Sequence, residues 1–403
     1  MTSTASALRR GWRRALPAAL SAALSAALSA AFPAAVAAVL LPGAALADIT
    51  VGLIVPATGS TAALGIPAKN TAALFPDEIG GEKLRLIVVD DASDPTTATT
   101  QARRLVTEEK VDVILGSVMT GAAIAVAGVA NETGVPQLAL SPIDLPAGKD
   151  AWTFRMPQNV TLMAKAVVEH MRAKNVKTLG FIGFSDAWGD FWLRDLKALA
   201  EPAGLKLVAE ERYARADTSV TGQVLKLLAA RPDAVLVGAS GTAAALPNIA
   251  LRERGYKGQI YQTHGAVTHD FIRIGGASVE GTILASGPVI VADQLPESSP
   301  VRAPALAYVT KYEEKYGANT RTQFGAHTWD AVQVLNRAVP AALKTAKPGT
   351  KEFRAALRDA LENEKEIAAT QGVYNFTKDD HFGLDQRGYV LLSIEGGKWK
   401  LVK

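Results

Sequence analysis

Ser117, Thr120 and Gly121 stand where a short, largely apolar run (111–115) gives way past Gly116 to the Ala-rich stretch "AAIAVAGVA". Small hydroxyl residues and glycine at the join between a strand and a helix leave backbone N–H groups exposed. The helix dipole adds partial positive charge there, so the join suits an anion. Two other stretches invite chemical readings. "GFSDA" (183–187) imitates the nucleophile elbow of hydrolases, but Ala187 replaces its last glycine and no Gly-rich oxyanion motif precedes it. His264 and His269, with Asp270, suggest a metal site only if a helix puts both rings on one face, and Gly265 argues that His264 lies on a loop. His327 in "HTWDA" reads as a packing or capping residue of an amphipathic helix, and the acids of "VVDDASDP" read as helix caps. No phosphate loop of the nucleotide-binding kind is present. These residues point to binding without catalysis, metal or cofactor.

The elements that would position them alternate regularly. Apolar runs predict strands at about 49–55, 84–90, 112–116, 136–140, 178–183, 205–209, 233–237, 259–262 and 281–285. Helical patterns lie between them at about 66–76, 95–109, 121–133, 159–174, 188–202, 219–230 and 242–255. Such alternation implies α/β architecture, with doubly wound parallel sheets covered by helices on both faces. Asp94–Pro95 supplies an N-cap and a first-turn proline for the second helix. After about residue 288 helices predominate, at about 303–317, 325–343 and 350–362, before strand-like runs ending in "KWKLV". Gly396–Gly397 between the last two runs reads as a hairpin turn. A weak internal echo links "VDVILGSVMTGAAIAVAGVANETG" to "PDAVLVGASGTAAALPNIALRERG", which suggests two similar lobes, each presenting a hydroxyl-bearing loop.

Composition narrows the class. Residues 1–47 carry four arginines, then a long Ala/Leu run with Pro17 and Pro33, then "ALA". That order is a secretory signal, with cleavage after Ala47 preferred over a retained membrane anchor. Without those four arginines the 43 basic residues fall to 39, equal to the 39 acidic ones. The mature chain is neutral overall and gives no electrostatic case for nucleic acid. Its zero cysteines exclude disulfides, thiolate metal sites and cysteine nucleophiles. A mature chain of 356 residues is large enough for two domains in an exported, periplasmic protein.

Several marks in order resemble the leucine/isoleucine/valine-binding-protein family, the solute receptors of ABC importers: "ITVGLIVPATGSTAALG", "IVVDDASDPTTA", "VILGSVMT", "VPQLALSP", "FRMPQN", "GFSDAWGDFW", "YQTHG" and "GGKWKLV". The resemblance covers essentially all of residues 48–403 and implies two lobes joined by three crossings, near 153–156, 285–288 and 371–372. Lobe one would then be 48–155 plus 287–371, and lobe two 156–286 plus 372–403. A small ligand would sit in the cleft, lobe closure would signal occupancy to a membrane permease, and the receptor would act as a monomer.

Carried over residue by residue, the resemblance implies a carboxylate anchored by Thr120 and Gly121 through a hydroxyl and backbone N–H groups. It places Leu64 and Gly65 of the 57–65 loop on the cleft wall and Ser141, Ile143 and Leu145 on the next loop. Leu145 stands where the family has a hydroxyl. Across the cleft it implies Trp188 in place of a stacking tyrosine, and Ser240 in place of another. His264 takes the place of the acid that holds an amino acid's ammonium. A histidine offers no fixed negative charge, so the expected ligand is a small apolar or aromatic carboxylate lacking an α-ammonium. Two alternatives stand beside it: an ordinary hydrophobic amino-acid receptor in which Asp144 supplies the lost acid, and a sensor without transport.

Overall fold

A computed structural model describes residues 48–402, so the expected signal segment lies outside the described residues. From the amino end run β1 (Ile49–Val55), α1 (Ala62–Ala72), β2 (Glu78–Ile79), β3 (Glu82–Asp90), α2 (Pro95–Thr107), β4 (Val113–Gly116), α3 (Thr120–Thr133), β5 (Gln137–Ala139) and β6 (Thr153–Arg155). These six strands form one sheet in the order β2-β3-β1-β4-β5-β6, parallel except for the short β2. All seven residues of β1 are buried, as a central parallel strand covered on both faces requires.

The second sheet draws on α4 (Val160–Ala173), β7 (Thr178–Phe184), α5 (Ala187–Ala200), β8 (Lys206–Tyr213), α6 (Thr221–Ala229), β9 (Ala234–Gly238), α7 (Ala245–Glu253), β10 (Gln259–Gln262), α8 (His269–Gly275) and β11 (Ile283–Ser286). The chain then supplies α9 (Arg302–Tyr316), α10 (Gln323–Ala342), α11 (Lys351–Asn363), the small pair β12 (Ile367–Ala368) and β13 (Val373–Tyr374), and the hairpin β14 (Val390–Glu395) and β15 (Lys398–Leu401). The order is β15-β14-β11-β10-β9-β7-β8, with β14 and β15 antiparallel. Gly396 and Gly397 both take positive φ in the expected hairpin turn, 58° and 69°.

Stripped of edge strands, both sheets have the same order, β3-β1-β4-β5-β6 and β8-β7-β9-β10-β11. In each, the first strand lies between the second and the third, which creates a switch point where loops leave in opposite directions and ligands bind. The echoed segments fall on equivalent elements, β4–α3 and β9–α7, so the internal similarity reflects one topology used twice. Several elements departed from expectation, among them β2 and α8, which the sequence reading did not place. The first helix begins at Ala62, four residues early, and carries Pro67 inside it; the strand β6 occupies residues first read as a crossing.

α10 and α11 pack on the first sheet, where Leu335, Val339, Phe353 and Leu357 join Val51, Leu53 and Leu115 in one core. Tyr374, Phe376 and Leu384 belong to that same core. The stretch after Gly372 therefore packs with the first sheet, and the chain joins the second sheet again at β14. Three segments pass between the sheets and touch one another. The Gln158 amide donates to the carbonyls of Gln371 (3.1 Å) and Gly388 (2.6 Å). A Cβ on Gly287 would fall 1.8 Å from Gln371 Oε1, so the second crossing passes close against the Gln371 side chain of the third.

Candidate functional site

Loops from the carboxyl ends of both sheets meet around a narrow cleft. From the first lobe come Leu64, the turn Val118–Met119–Thr120, and Leu140–Ser141–Pro142; from the second come Trp188, Arg215, Ser240, His264 and Gly265. Pro157 of the first crossing, with Phe324 and His327 of α10, completes the lining.

The turn after β4 is pinned from behind. Buried Asp91 accepts from Ser117 Oγ at 2.6 Å, and Ser117 Oγ in turn accepts from Met119 N–H at 3.2 Å. Burial dominates at Asp91 and raises its carboxyl above the usual range, although the Ser117 hydroxyl and Ser93 N–H oppose it. The Gln137 amide donates to the carbonyls of Gly116 and Ala123, fixing the turn to its own helix. Met119 occupies the N-cap of α3 and no side chain caps that helix, so its first-turn N–H groups face the cavity side without a protein cap. Thr120 is therefore not the cap of its helix. Its hydroxyl pairs with Ser141 at 3.0 Å, both buried, and together they form a donor pair beside the helix end.

The opposite wall is different. Asp186 caps α5 by accepting from Trp188 and Gly189 N–H, and its second oxygen receives Arg215 Nε at 2.5 Å. Arg215 also donates to Ser240 Oγ at 2.9 Å and lies 4.2 Å above the Phe184 ring. Its side chain is only 14 % exposed. Trp188 donates from its indole to Ala239 O at 3.1 Å, which holds the ring as an apolar wall. A Cβ on Gly265 would fall 2.6 Å from Ser240 Cβ and 2.8 Å from Trp188, so glycine lets these loops close on one another.

Two imidazoles occupy the rest of the lining. His264 sits edge-on to Trp188 at 5.0 Å and near Trp192 at 5.7 Å. His327 and Phe324 lie on the first turns of α10. Both histidines are buried, and none of their four ring nitrogens has a protein partner. Burial pushes His264 down to about 3 and His327 well below the usual imidazole value, with His264 adding to the effect on His327. Both rings are neutral throughout the physiological range.

Of the expected site residues, Leu64, Thr120, Ser141, Trp188, Ser240 and His264 come together on this lining. Four do not. The Ile143 carbonyl accepts from buried Arg155 Nε at 3.0 Å and faces away, and Leu145 packs beside Ile143 against Ala123 and Ala139. Gly65 is a packing glycine, where a Cβ would fall 2.0 Å from Pro56 O; Gly121 follows Thr120 with its Cα toward Pro95. Asp144 binds Arg194 of α5 at 2.6 Å across the cleft and supplies no acid to the site. Sequence reading missed Arg215 and His327. An isolated Arg in "RYARAD" carries no local motif, and His327 looked like an ordinary helix residue. Arg215 adds a charged donor to the hydroxyl and backbone groups that were expected.

Ser185 Oγ turns to the Tyr213 carbonyl at 3.3 Å. Among the described residues no group of three or more His, Cys, Asp or Glu could hold a metal ion, and no helix is long and apolar enough to cross a membrane.

The profile of a family described as periplasmic binding protein matches residues 48–398. The chain belongs to that family. A curated relative, a Leu/Ile/Val-binding protein of Rhizobium johnstonii, is 27% identical over 377 residues, covering 90% of this chain and 96% of its own. A crystal structure of an extracellular ligand-binding receptor from Rhodopseudomonas palustris HaA2 is 56% identical, with a TM-score of 0.87, covering 88% of this chain and all of that one. An R. palustris ABC-transporter solute-binding protein solved with benzoate is 22% identical and shares the fold, with a TM-score of 0.73 over 88% of this chain and 95% of its own. The chain is thus a periplasmic-binding-protein-type solute receptor, built as two α/β lobes of type I.

Proposed function

We propose that this receptor captures a small apolar or aromatic carboxylate lacking an α-ammonium and delivers it, as a monomer, to the membrane permease of an ABC importer. The observation that carries the reading is the charge of the lining: Arg215 and two neutral imidazoles, with no carboxylate among the described lining residues. The nearby acids are engaged elsewhere, Asp186 by Arg215 and Asp144 by Arg194. An α-ammonium entering here would meet a guanidinium and no fixed negative charge, a costly arrangement in a dry cleft. A carboxylate would meet the open end of α3, the Thr120–Ser141 hydroxyls and the Arg215 guanidinium, all suited to charge-assisted bonds. Leu64, Val118, Leu140, Trp188 and Phe324 offer an apolar body its surface. The fold itself admits such a ligand, since the neighbour solved with benzoate has it. Closure would be a hinge motion about the three crossings; lobe one is then β1 to β6 with α10 and α11, and lobe two is β7 to β11 with the final hairpin.

The relatives named for leucine, isoleucine and valine favour a second reading, a hydrophobic amino-acid receptor. Titration calorimetry of the chain from Asp48 with leucine, valine, benzoate and phenylacetate separates the two. The expected result is binding of an aromatic acid with no heat from leucine. Tight leucine binding beside silent aromatic acids would overturn the proposal.

A further inference from the structure

We infer that the ligand carries, apart from its acid group, a hydroxyl that lodges between His264 and His327. The inference rests on the carboxylate reading above and assigns the far end of the same cavity. The two histidines come from opposite lobes, yet the structure brings them to one place. The Gln323 side chain donates to the His264 carbonyl, and His327 lies four residues after Gln323 on α10, one turn along the same helix face. Both rings line the cavity, and all four of their nitrogens lack a protein partner although both residues are almost wholly buried. Trp192 Nε1 and Gln323 Oε1 beside them are also unpartnered. Buried polar groups left this way are rare in native proteins and call for a partner.

The chemistry of that partner follows from the rings. A neutral imidazole has one donor nitrogen and one acceptor nitrogen. A carboxylate offers acceptors alone and would leave both rings' lone pairs unmatched; an ammonium offers donors alone and would leave both N–H groups unmatched. A methyl or bare ring edge would leave every nitrogen unpaired. A hydroxyl donates once and accepts, so it bridges one ring's lone pair and the other ring's N–H. The helix-end clasp and Arg215 take the acid, Trp188 covers the apolar middle, and the imidazole pair reads the distal substituent. Discrimination by such a site is steep, because the analogue lacking the hydroxyl leaves buried groups unpaired.

Calorimetry with two matched pairs tests it: phenylacetate against 4-hydroxyphenylacetate, and benzoate against 4-hydroxybenzoate. In the unmodified chain the hydroxylated member of at least one pair should bind about tenfold tighter or more. His264→Leu and His327→Leu, each checked by thermal melting, should bring the members within about threefold. Should one variant fail to fold, the other carries the test, with His327→Gln as a variant that keeps hydrogen-bonding capacity and part of the preference. Equal affinities within each pair, or a preference untouched by both Leu variants, would overturn the inference and leave the carboxylate reading standing. Silence from all four acids beside binding of leucine would remove the carboxylate reading, and this inference with it.

Discussion

The two lobes share a strand order and an echoed loop, yet they present different kinds of anion-binding group to the cleft. In lobe one the loop after β4 runs straight into α3, whose uncapped end offers backbone N–H groups beside Thr120. In lobe two the equivalent loop after β9 passes first through a 3-10 turn, Thr242–Ala244, and α7 begins only at Ala245. That extra turn carries the α-helix start away from the loop, and Arg215 from the loop after β8 bonds Ser240 in its place. One topology thus yields a dipole on one wall and a guanidinium on the other. The lesson is that the fold fixes where recognition happens, while a few loop residues fix its chemistry.

Removing the guanidinium breaks the contrast most sharply. Arg215→Ala leaves Asp186 without its cation and the acid without its charged partner. Affinity for the aromatic acid that binds best should fall by about 30- to 1,000-fold, or about 2–4 kcal/mol. Arg215→Lys should recover only part, because a point charge cannot bond Asp186 and Ser240 together as the planar fork does. Unchanged affinity in Arg215→Ala would reduce lobe two to a matter of shape. The cost should also grow at low salt less than for an exposed pair, since the side chain is mostly buried.

A third carboxylate sharpens the same comparison. Asp186 faces a guanidinium, whereas Asp330 on α10 faces only donors: Thr370 and Gln371 N–H at 2.9 Å each and Tyr374 OH at 3.2 Å. Without a cation, burial outweighs those bonds and raises its carboxyl to about 7. An unfolded aspartate titrates near 3.9. Between those values the folded chain keeps a proton that the unfolded chain has lost. Stability from this group is therefore full below about pH 4 and is lost as pH rises toward about 7. Asp330→Ala should flatten that slope in denaturant titrations at pH 4.5, 6 and 7.5. It should also cost about 2–3 kcal/mol by orphaning the two N–H groups that start the third crossing. A variant as stable as the parent with the slope intact would show that the carboxylate is not the titrating group.

How far these groups were visible in the sequence follows from how local their signals are. The β4–α3 turn was legible because strand, glycine, hydroxyl and helix are contiguous, and Asp94–Pro95 announced α2 in the same way. Strand period and turn chemistry likewise placed nearly every element. Arg215 and His327 were hidden because their roles arise from three strands and a returning helix meeting, which no window of residues records. Ile143 and Leu145 lie off the lining because loop position alone does not fix where a group points: Arg155 takes the Ile143 carbonyl, and Leu145 packs against Ala123 and Ala139. Asp144 had no visible partner until Arg194, fifty residues later, was brought across the cleft.

On the dipole wall the expected effect is smaller. Thr120→Ala removes one hydroxyl and leaves Ser141 and the helix end in place, so acid affinity should drop about three- to tenfold. Thr120→Ser should bind nearly as the parent does. A loss in Thr120→Ala as large as that in Arg215→Ala would mean that the two walls act as one coupled network rather than as two independent clasps.

The smallest effect concerns closure rather than contact. Arg194 joins Asp144 of lobe one at 2.6 Å while also bonding Asp195, its own neighbour, at 2.6 Å. With its side chain 52 % exposed, the Arg194–Asp144 bond is a surface pair worth about 0.2–1 kcal/mol. Because the pair bridges the two lobes, its energy would favour the closed state of the hinge motion proposed above and reach the ligand through linkage. Arg194→Ala should weaken binding by no more than about fivefold, chiefly by speeding release, and the difference should vanish near 1 M salt. Asp144→Asn should behave alike, and the double variant should add nothing further, since either change breaks the same bond. If Asp144→Asn instead abolished binding while Arg194→Ala did not, the carboxylate would be touching the ligand, and the contrast drawn between the walls would have to admit an acid.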